Sequence, residues 1–358
     1  MKSGRWTFYD LSAWRDHAAA WESLNRLQAD SPALDPDFIE PFFAELATGT
    51  ERLAVCDGDD GPIAMTLIQD GGRGYVGTMW PDQALLGFWV QRPEYATVGL
   101  AAGLISALPL SKIIFSLSLQ DPDIAPRPKD TSRITTVDYV PTARIAISGT
   151  FDDYWKARSK KLRENLRRAS NGLIRNERPP RLVELNRPED IARGIREYGE
   201  IESAGWKAEI DGAIHGDNAQ GRYYTEMMTR LAAKGNASVF QFYYGDKLVA
   251  SDLCIYRGGT IIGLKTTYDE AERSTSPALL MRQEMMRDFL DRQRFSKYEF
   301  YGRVRDWQTK WSNDFRVMYH INVYRWSVLK AIHARMASHE EAKIGGSARQ
   351  DELAKNAR

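Results

Sequence analysis

Residues 238–244 (SVFQFYY), Gly245-Asp246, residues 248–256 (LVASDLCIY), Arg257-Gly258-Gly259 and Thr260–Tyr268 (TIIGLKTTY) decide the fold. β-branched and aromatic residues fill the three runs, and glycine turns separate them, so this stretch reads as a three-stranded meander. Residues 279–292 (LLMRQEMMRDFLDR) then show helical spacing, and 297–301 (KYEFY) returns as a strand. A helix over 223–233 precedes the meander. Three meandering strands followed by a helix and another strand form a mixed sheet with helices on its faces.

Working outward, the first half carries the same order. A helix pattern over 37–47 leads to a strand at 53–56, the turn Asp57-Gly58-Asp59-Asp60-Gly61 and a strand at 63–68. Gly71-Gly72-Arg73-Gly74 turns the chain into a strand from Tyr75, followed by a helix over 94–107 and a strand at 113–117. Leu53/Ser238, Ile63/Leu248, Tyr75/Thr260, Glu94/Leu279 and Ile113/Lys297 are each about 185 residues apart. The residues differ while the spacings agree, which predicts duplication of one α-β-β-β-α-β unit. The expected fold class is α+β with two tandem mixed-sheet domains.

The 358 residues contain 49 Lys+Arg against 48 Asp+Glu, so whole-protein charge points to no polyanionic partner. Two cysteines, Cys56 and Cys254, cannot build a disulfide framework or a cysteine-only zinc site. The N-terminal residues lack the apolar core of a signal peptide, and the apolar run 98–110 is broken by Ser106 and Pro109. A cytoplasmic protein without a membrane span is expected. His-Glu-x-x-His, Gly-x-Ser-x-Gly and Walker motifs are missing, and the histidines show no metal-ligand spacing, so no metal is expected. Gly72-Arg73-Gly74-Tyr75-Val76-Gly77 matches a dinucleotide pattern, but it precedes a strand and opens no helix.

Several short stretches sharpen the reading. They are Phe151-Asp152-Asp153-Tyr154-Trp155 before Ser159-Lys160-Lys161-Leu162-Arg163-Glu164-Asn165-Leu166-Arg167-Arg168, Glu202 before Trp206-Lys207, and Leu248-Val249-Ala250-Ser251. Thr267-Tyr268-Asp269-Glu270 with Ser276-Pro277-Ala278-Leu279-Leu280 follows, then Tyr298-Glu299-Phe300-Tyr301-Gly302-Arg303 with Trp307 and Trp311. In this order they resemble the cellulose-biosynthesis-type acetyltransferase-like branch of the duplicated Gcn5-related N-acetyltransferase (GNAT) superfamily, relatives of the FemAB transferases. The resemblance covers roughly residues 31–325, with Trp307-Gln308 standing where that family tends to have Tyr-Lys. It implies acyl transfer from acetyl-CoA or another acyl-CoA to an amine or hydroxyl. The acceptor class is a small molecule or glycan precursor, with tRNA as a second possible partner through the FemAB relatives.

Ser276 is a natural N-cap and Pro277 suits a first helical turn, so a helix starts there. Its amides at Ala278 and Leu279, with Ser274, Thr275, Ser276 and the charge of Arg273, form a candidate cradle for the CoA diphosphate, where the resemblance also puts it. An ordinary capped helix beside a polar loop is the competing reading. In the first half Glu94 stands in the matching first turn, where it repels phosphate. Alternation over Thr260–Tyr268 puts Ile262, Leu264, Thr266 and Tyr268 on one face and Lys265 and Thr267 on the other.

A single helix over 153–175, started by Thr150 and Asp153, carries eight Lys or Arg residues around the stripe Trp155, Leu162, Leu166, Ala169 and Leu173. Lys161, Arg163, Asn165 and Arg167 form an anion clamp in one reading and a solvated face in the other. Trp206, Lys207, Lys265 and Arg303 complete the substrate-binding expectation. Glu202, Asp252 and Glu299 are candidate acids or bases, and Tyr268 or Tyr301 a donor to the leaving thiolate. The expected organisation is a scaffold domain over 1–149, a basic connecting helix over 150–180, the acyl-CoA domain over 181–336 and a polar tail over 337–358.

Overall fold

Seven strands come from the first half: Arg5–Asp10 (β1), Glu51–Gly58 (β2), Gly61–Gly72 (β3), Tyr75–Thr78 (β4), Trp89–Gln91 (β5), Ile114–Gln120 (β6) and Ile134–Ala146 (β7). Six come from the second: Pro180–Leu185 (β8), Ala237–Tyr244 (β9), Lys247–Arg257 (β10), Thr260–Tyr268 (β11), Lys297–Glu299 (β12) and Asp314–Tyr324 (β13). The helices are Trp14–Gln28 (α1), Pro36–Glu45 (α2), Thr97–Ala107 (α3), Phe151–Lys156 (α4), Lys160–Arg175 (α5), Pro188–Ala204 (α6), Ala219–Ala233 (α7) and Pro277–Arg292 (α8). The computed structural model describes residues 4–204, 214 and 218–331. Its strands form one sheet in the order β1-β2-β3-β4-β6-β13-β7-β12-β11-β10-β9-β8, with β5 beside β3.

The predicted unit appears twice, as α2-β2-β3-β4-α3-β6 and α7-β9-β10-β11-α8-β12. In each copy a parallel pair follows the helix crossover, β4 with β6 and β11 with β12. The last strand of each half is exchanged. β7 leaves the first half and pairs β12, contributing Ala143, Ile145 and Ile147 to the core under α8. β13 leaves the second half and pairs β6, contributing Tyr319, Ile321 and Val323 to the core under α3. The two exchanged strands then pair with each other, antiparallel, from Asp314–Arg144 to Val323–Ile134. On the opposite face α1, α2, α6 and α7 share one core, in which Phe42 stacks on Tyr223 with centroids 4.2 Å apart.

Three local expectations change. The basic helix is broken: α4 ends at Lys156 and α5 restarts at Lys160, with the Ser159 hydroxyl accepting the Leu162 amide as a new cap. The first-half helix begins at Thr97, so Glu94 lies before it and beside Arg92, outside any first turn. A bulge interrupts β11. Leu253 faces Lys265 and Cys254 faces Gly263, leaving Leu264 unpaired. Ile262 and Leu264 pack with the α6/α7 core and Lys265 reaches Glu202 on α6, whereas Thr266 turns to Asp252 and Arg282 on the α8 side. Strict alternation fails there because one extra residue reverses every side chain beyond it.

Exchange makes each core depend on a strand from the other half. Replacing the fully buried Ile321 with Ala is expected to cost about 2–4 kcal/mol and to leave one urea transition. Tryptophan fluorescence, which sums ten tryptophans spread over both halves, should follow the same curve as circular dichroism; two separated transitions would contradict the coupling.

Candidate functional site

The site forms where β11 and β12 part. Their parallel pairing covers only Thr260–Ile262 against Lys297–Glu299. Beyond it β11 stays on β10 as far as Tyr268, while the other strand turns towards β7 through the Phe300 amide and Ala143 carbonyl. Tyr301 and Gly302 both take positive φ (30° and 118°) to make that turn. The gap is a cleft of about 470 Å³ running from the start of α8 to Trp307 and Gln308. Among the described residues its lining carries three cationic side chains, Lys265, Arg273 and Arg282, and no carboxylate.

Ser276 sits at the mouth with φ 58° and ψ 57°, a left-handed conformation, and its side chain caps nothing. This corrects the expected Ser cap: the serine turns its backbone to start α8 and leaves its hydroxyl on the cleft wall. The Leu279 and Leu280 amides both donate to the Ser276 carbonyl. Of the residues expected to cradle a diphosphate, Arg273, Ser276, Ala278 and Leu279 line the cleft, with the Leu279 amide already committed to the Ser276 carbonyl. Ser274 is exposed and outside the lining, and the Thr275 hydroxyl is committed to the Glu272 carbonyl at 2.8 Å and the Tyr244 phenol at 2.9 Å.

The floor is an ion pair. Asp252 and Arg282 are fully buried, with Nη2 2.7 Å from Oδ2. Thr266 donates to the other Asp252 oxygen at 2.6 Å, and the Tyr298 phenol donates to Oδ2 at 3.3 Å. The guanidinium lies over the Tyr298 ring, 4.5 Å from its centroid. Gly263 is obligatory here, since a Cβ would meet the Tyr298 oxygen at 1.8 Å. Burial raises the Tyr298 phenol well above its ordinary range, so it donates as a neutral group. Two further Arg282 donors, Nε and Nη1, have no protein partner, a deficit of about 1–3 kcal/mol for each buried donor left open.

The expected acids act at one remove. Glu202 is buried, accepts the Tyr198 hydroxyl at 3.1 Å and the Ile214 amide at 2.8 Å, and lies 3.8 Å from Lys265, which does line the cleft. Glu299 is buried behind Tyr301, 3.0 Å from Arg316 of β13 and 3.3 Å from Lys297. Arg316 also binds Asp121, which follows β6, and Tyr301 donates to Asp121 at 3.0 Å. Burial raises the Glu299 carboxyl, with Arg316 and Lys297 offsetting only part of it. Burial works in the same sense on Asp121, but the Arg316 hydrogen bonds and charge win and lower it. Of the four expected catalytic groups only Tyr268 lines the cleft, on its exposed rim.

The substrate-binding expectation separates into groups. Arg163 and Arg167 face a second cavity, about 510 Å³, between α5 and α8, together with Lys160 and Arg287. Lys161 and Asn165 are exposed outside it, and so is Arg303 relative to the main cleft. Trp206 and Lys207 lie outside the described residues, as does the tail over 337–358. Trp311 is buried, stacked on Trp155, while Trp307 lines the cleft. Sequence reading missed Arg282, because an arginine inside an amphipathic helix looks like any solvated residue; only its partner Asp252 was visible. Among the described residues no group of three or more His, Cys, Asp or Glu is placed to hold a metal, and no helix is long and apolar enough to cross a membrane.

A raised carboxyl gives a defined pH dependence. Folding favours protonated Glu299, so its contribution is fully present below its unfolded value of 4.5 and is lost as pH rises through the folded value. Glu299→Gln is therefore expected to leave stability at pH 7 no lower than wild type and to flatten the stability curve above pH 4.5. Urea denaturation at a series of pH values checks this; a destabilised variant at pH 7 would show that the ionised form is the one folding favours.

Residues 160–309 match the family model described as an acetyltransferase (GNAT) domain. No curated protein matches the chain. Among solved structures, FemX superposes with a TM-score of 0.55 at 11% identity, covering 86% of this chain and 96% of that one. The C-terminal DUF2156 domain of a putative lysylphosphatidylglycerol synthetase from Agrobacterium fabrum gives 0.54 at 11% identity, covering 90% and 96%. A conserved protein of unknown function from Bacteroides thetaiotaomicron also gives 0.54 at 11% identity, covering 86% and 97%. The unit found twice, the parting of β11 and β12 and these likenesses agree: the chain has a duplicated GNAT-type, FemAB-like fold, with a GNAT acetyltransferase domain matched over residues 160–309.

Proposed function

We propose that this chain is an acyl-CoA-dependent N-acyltransferase that works in the second-half cleft by direct transfer to an amine or hydroxyl. The observation carrying this reading is the cleft itself, opened between β11 and β12, with cationic lining and the start of α8 at its mouth. A diphosphate at Ser276 and Arg273 meets a helix N-terminus and a positive side chain, both favourable to anions. The acyl chain then lies between the parted strands, where the acceptor can approach the thioester.

Direct transfer requires the acceptor nitrogen and the thioester carbon to be held together, one proton removed from the amine and one supplied to the thiolate. Tyr268, on the rim, is placed to supply the second. Lys265, held against Glu202, faces the interior where the acceptor would sit. Asp252, Glu202 and Glu299 act as positioning residues because each reaches the cleft only through a neighbour. The first half serves as scaffold: Gly87 passes so close to Ser118 that a Cβ would meet its carbonyl at 2.0 Å, and Gly87 donates to Leu119. The loop after β4 therefore fills the gap that the second half leaves open.

Transfer from aminoacyl-tRNA is the second reading, favoured by Lys160, Arg163, Arg167 and Arg287 around the α5/α8 cavity, which outnumber its two carboxylates, Glu164 and Glu284. Calorimetry separates the two. The acyl-CoA reading expects one CoA or acetyl-CoA per chain; absence of CoA binding with salt-sensitive RNA binding favours tRNA or a non-catalytic role. Ser276→Asp places a carboxylate against the diphosphate in a left-handed position that Asp tolerates, and should weaken CoA at least about tenfold. Arg92→Gln in the first half should leave CoA affinity within about twofold; the reverse pattern, or two CoA per chain, contradicts the assignment.

A further inference from the structure

Arg282 has no role in the reading above, yet it holds the least explained polar atoms of the cleft. It stands on α8, five positions beyond Pro277, with 1% of its surface exposed. Nη2 is taken by Asp252 at 2.7 Å and approaches Thr266 at 3.4 Å. Nε and Nη1 have no protein partner, and the residue lines the cleft. Asp252, Thr266 and the aromatic faces of Tyr298 and Phe300 hold the guanidinium.

Charge decides what those donors would bind. Asp252 already neutralises Arg282. A permanent carboxylate there would add a second negative charge beside Asp252, which already balances Arg282. A carbonyl oxygen is neutral when it binds and gains charge only as it is attacked, which suits donors already held in place.

Resting on the acyl-CoA reading, we infer that Arg282 is a catalytic residue whose open N–H groups bind the carbonyl oxygen of the acyl thioester. When the acceptor nitrogen bonds to the acyl carbon, the carbonyl electron pair moves onto that oxygen, against the guanidinium. The pair returns as the carbon–sulfur bond breaks and the thiolate leaves. The amine loses one proton and the thiol gains one, so no further reactant is needed. Arg282 stays protonated throughout and gives up no proton. Asp252 is the positioning residue that keeps it oriented.

Infrared spectroscopy of bound [1-13C]acetyl-CoA, with CoA affinity measured in parallel, tests this. Wild type should lower the labelled carbonyl frequency relative to free acetyl-CoA. Arg282→Lys keeps a charge for Asp252 but loses the open donors; it should return the band to the free position while CoA affinity stays within about twofold. The double variant Asp252→Asn/Arg282→Gln removes both charges, so a folding defect in one variant leaves the other to give the answer; it should also lose the shift. A retained shift in either variant, or none in wild type that binds acetyl-CoA, overturns the assignment of Arg282 alone. Wild type that binds neither CoA nor acetyl-CoA overturns the acyl-CoA reading, and this assignment falls with it.

Discussion

The exchange of β7 and β13 is the constraint on which the rest depends. Each half of the sheet lacks its final strand until the other supplies it. Hydrogen bonding between the two exchanged strands then makes one sheet from two units. Without that seam, the edges at β6 and β12 would expose unpaired backbone and the cores under α3 and α8 would lose Ile321 and Ile145. The seam also reaches the site. Arg316 on β13, Asp121 after β6 and Glu299 at the end of β12 come from three separate chain segments, and their ion pairs fix Tyr301 against the cleft.

The cleft follows from two backbone irregularities. Parallel pairing of β11 and β12 ends at Ile262, beyond which β11 stays on β10 while Phe300 continues the β12–β7 pairing. The bulge at Leu264 then turns Thr266 towards α8 and Lys265 towards α6. One strand thereby presents a hydroxyl to a buried ion pair on one face and a cation to a buried glutamate on the other. Burying these charges is tolerable only because each has a partner; removing either member of Asp252–Arg282 would leave an isolated charge at a cost of about 3–5 kcal/mol.

The repeated unit was legible because its strands and turns recur at a fixed interval, and periodicity survives even where residues diverge. Ser276-Pro277 marked the start of α8, although the serine serves by its backbone conformation and not by its hydroxyl. The exchanged strands were not legible. Nothing local in β7 or β13 says which half will pair it, since pairing partners are chosen by tertiary packing. The bulge was equally hidden, because it depends on which residue of β10 faces Gly263, and so the faces of Thr266 and Tyr268 came out reversed. Asp252 was suspected from its place in an apolar strand, but the helix pattern of α8 gave no sign that Arg282 points inward.

Duplication leaves two potential clefts, and the difference between them is a matter of strand continuity. β11 runs nine residues without leaving the sheet. Its first-half counterpart is split into β4 and β5, and the intervening chain folds inward, burying Ala84, Leu86 and Phe88 in the core shared with α1, α2, α6 and α7. The gap corresponding to the second-half cleft is thereby filled with packing. That packing supports the second half: α2 holds Tyr223 of α7 through Phe38 and Phe42, α7 lies against α6, and α6 carries Glu202, 3.8 Å from Lys265. The closed first half thus contributes to the open second half by fixing the helices behind it, so filling its own gap leaves it essential to the fold.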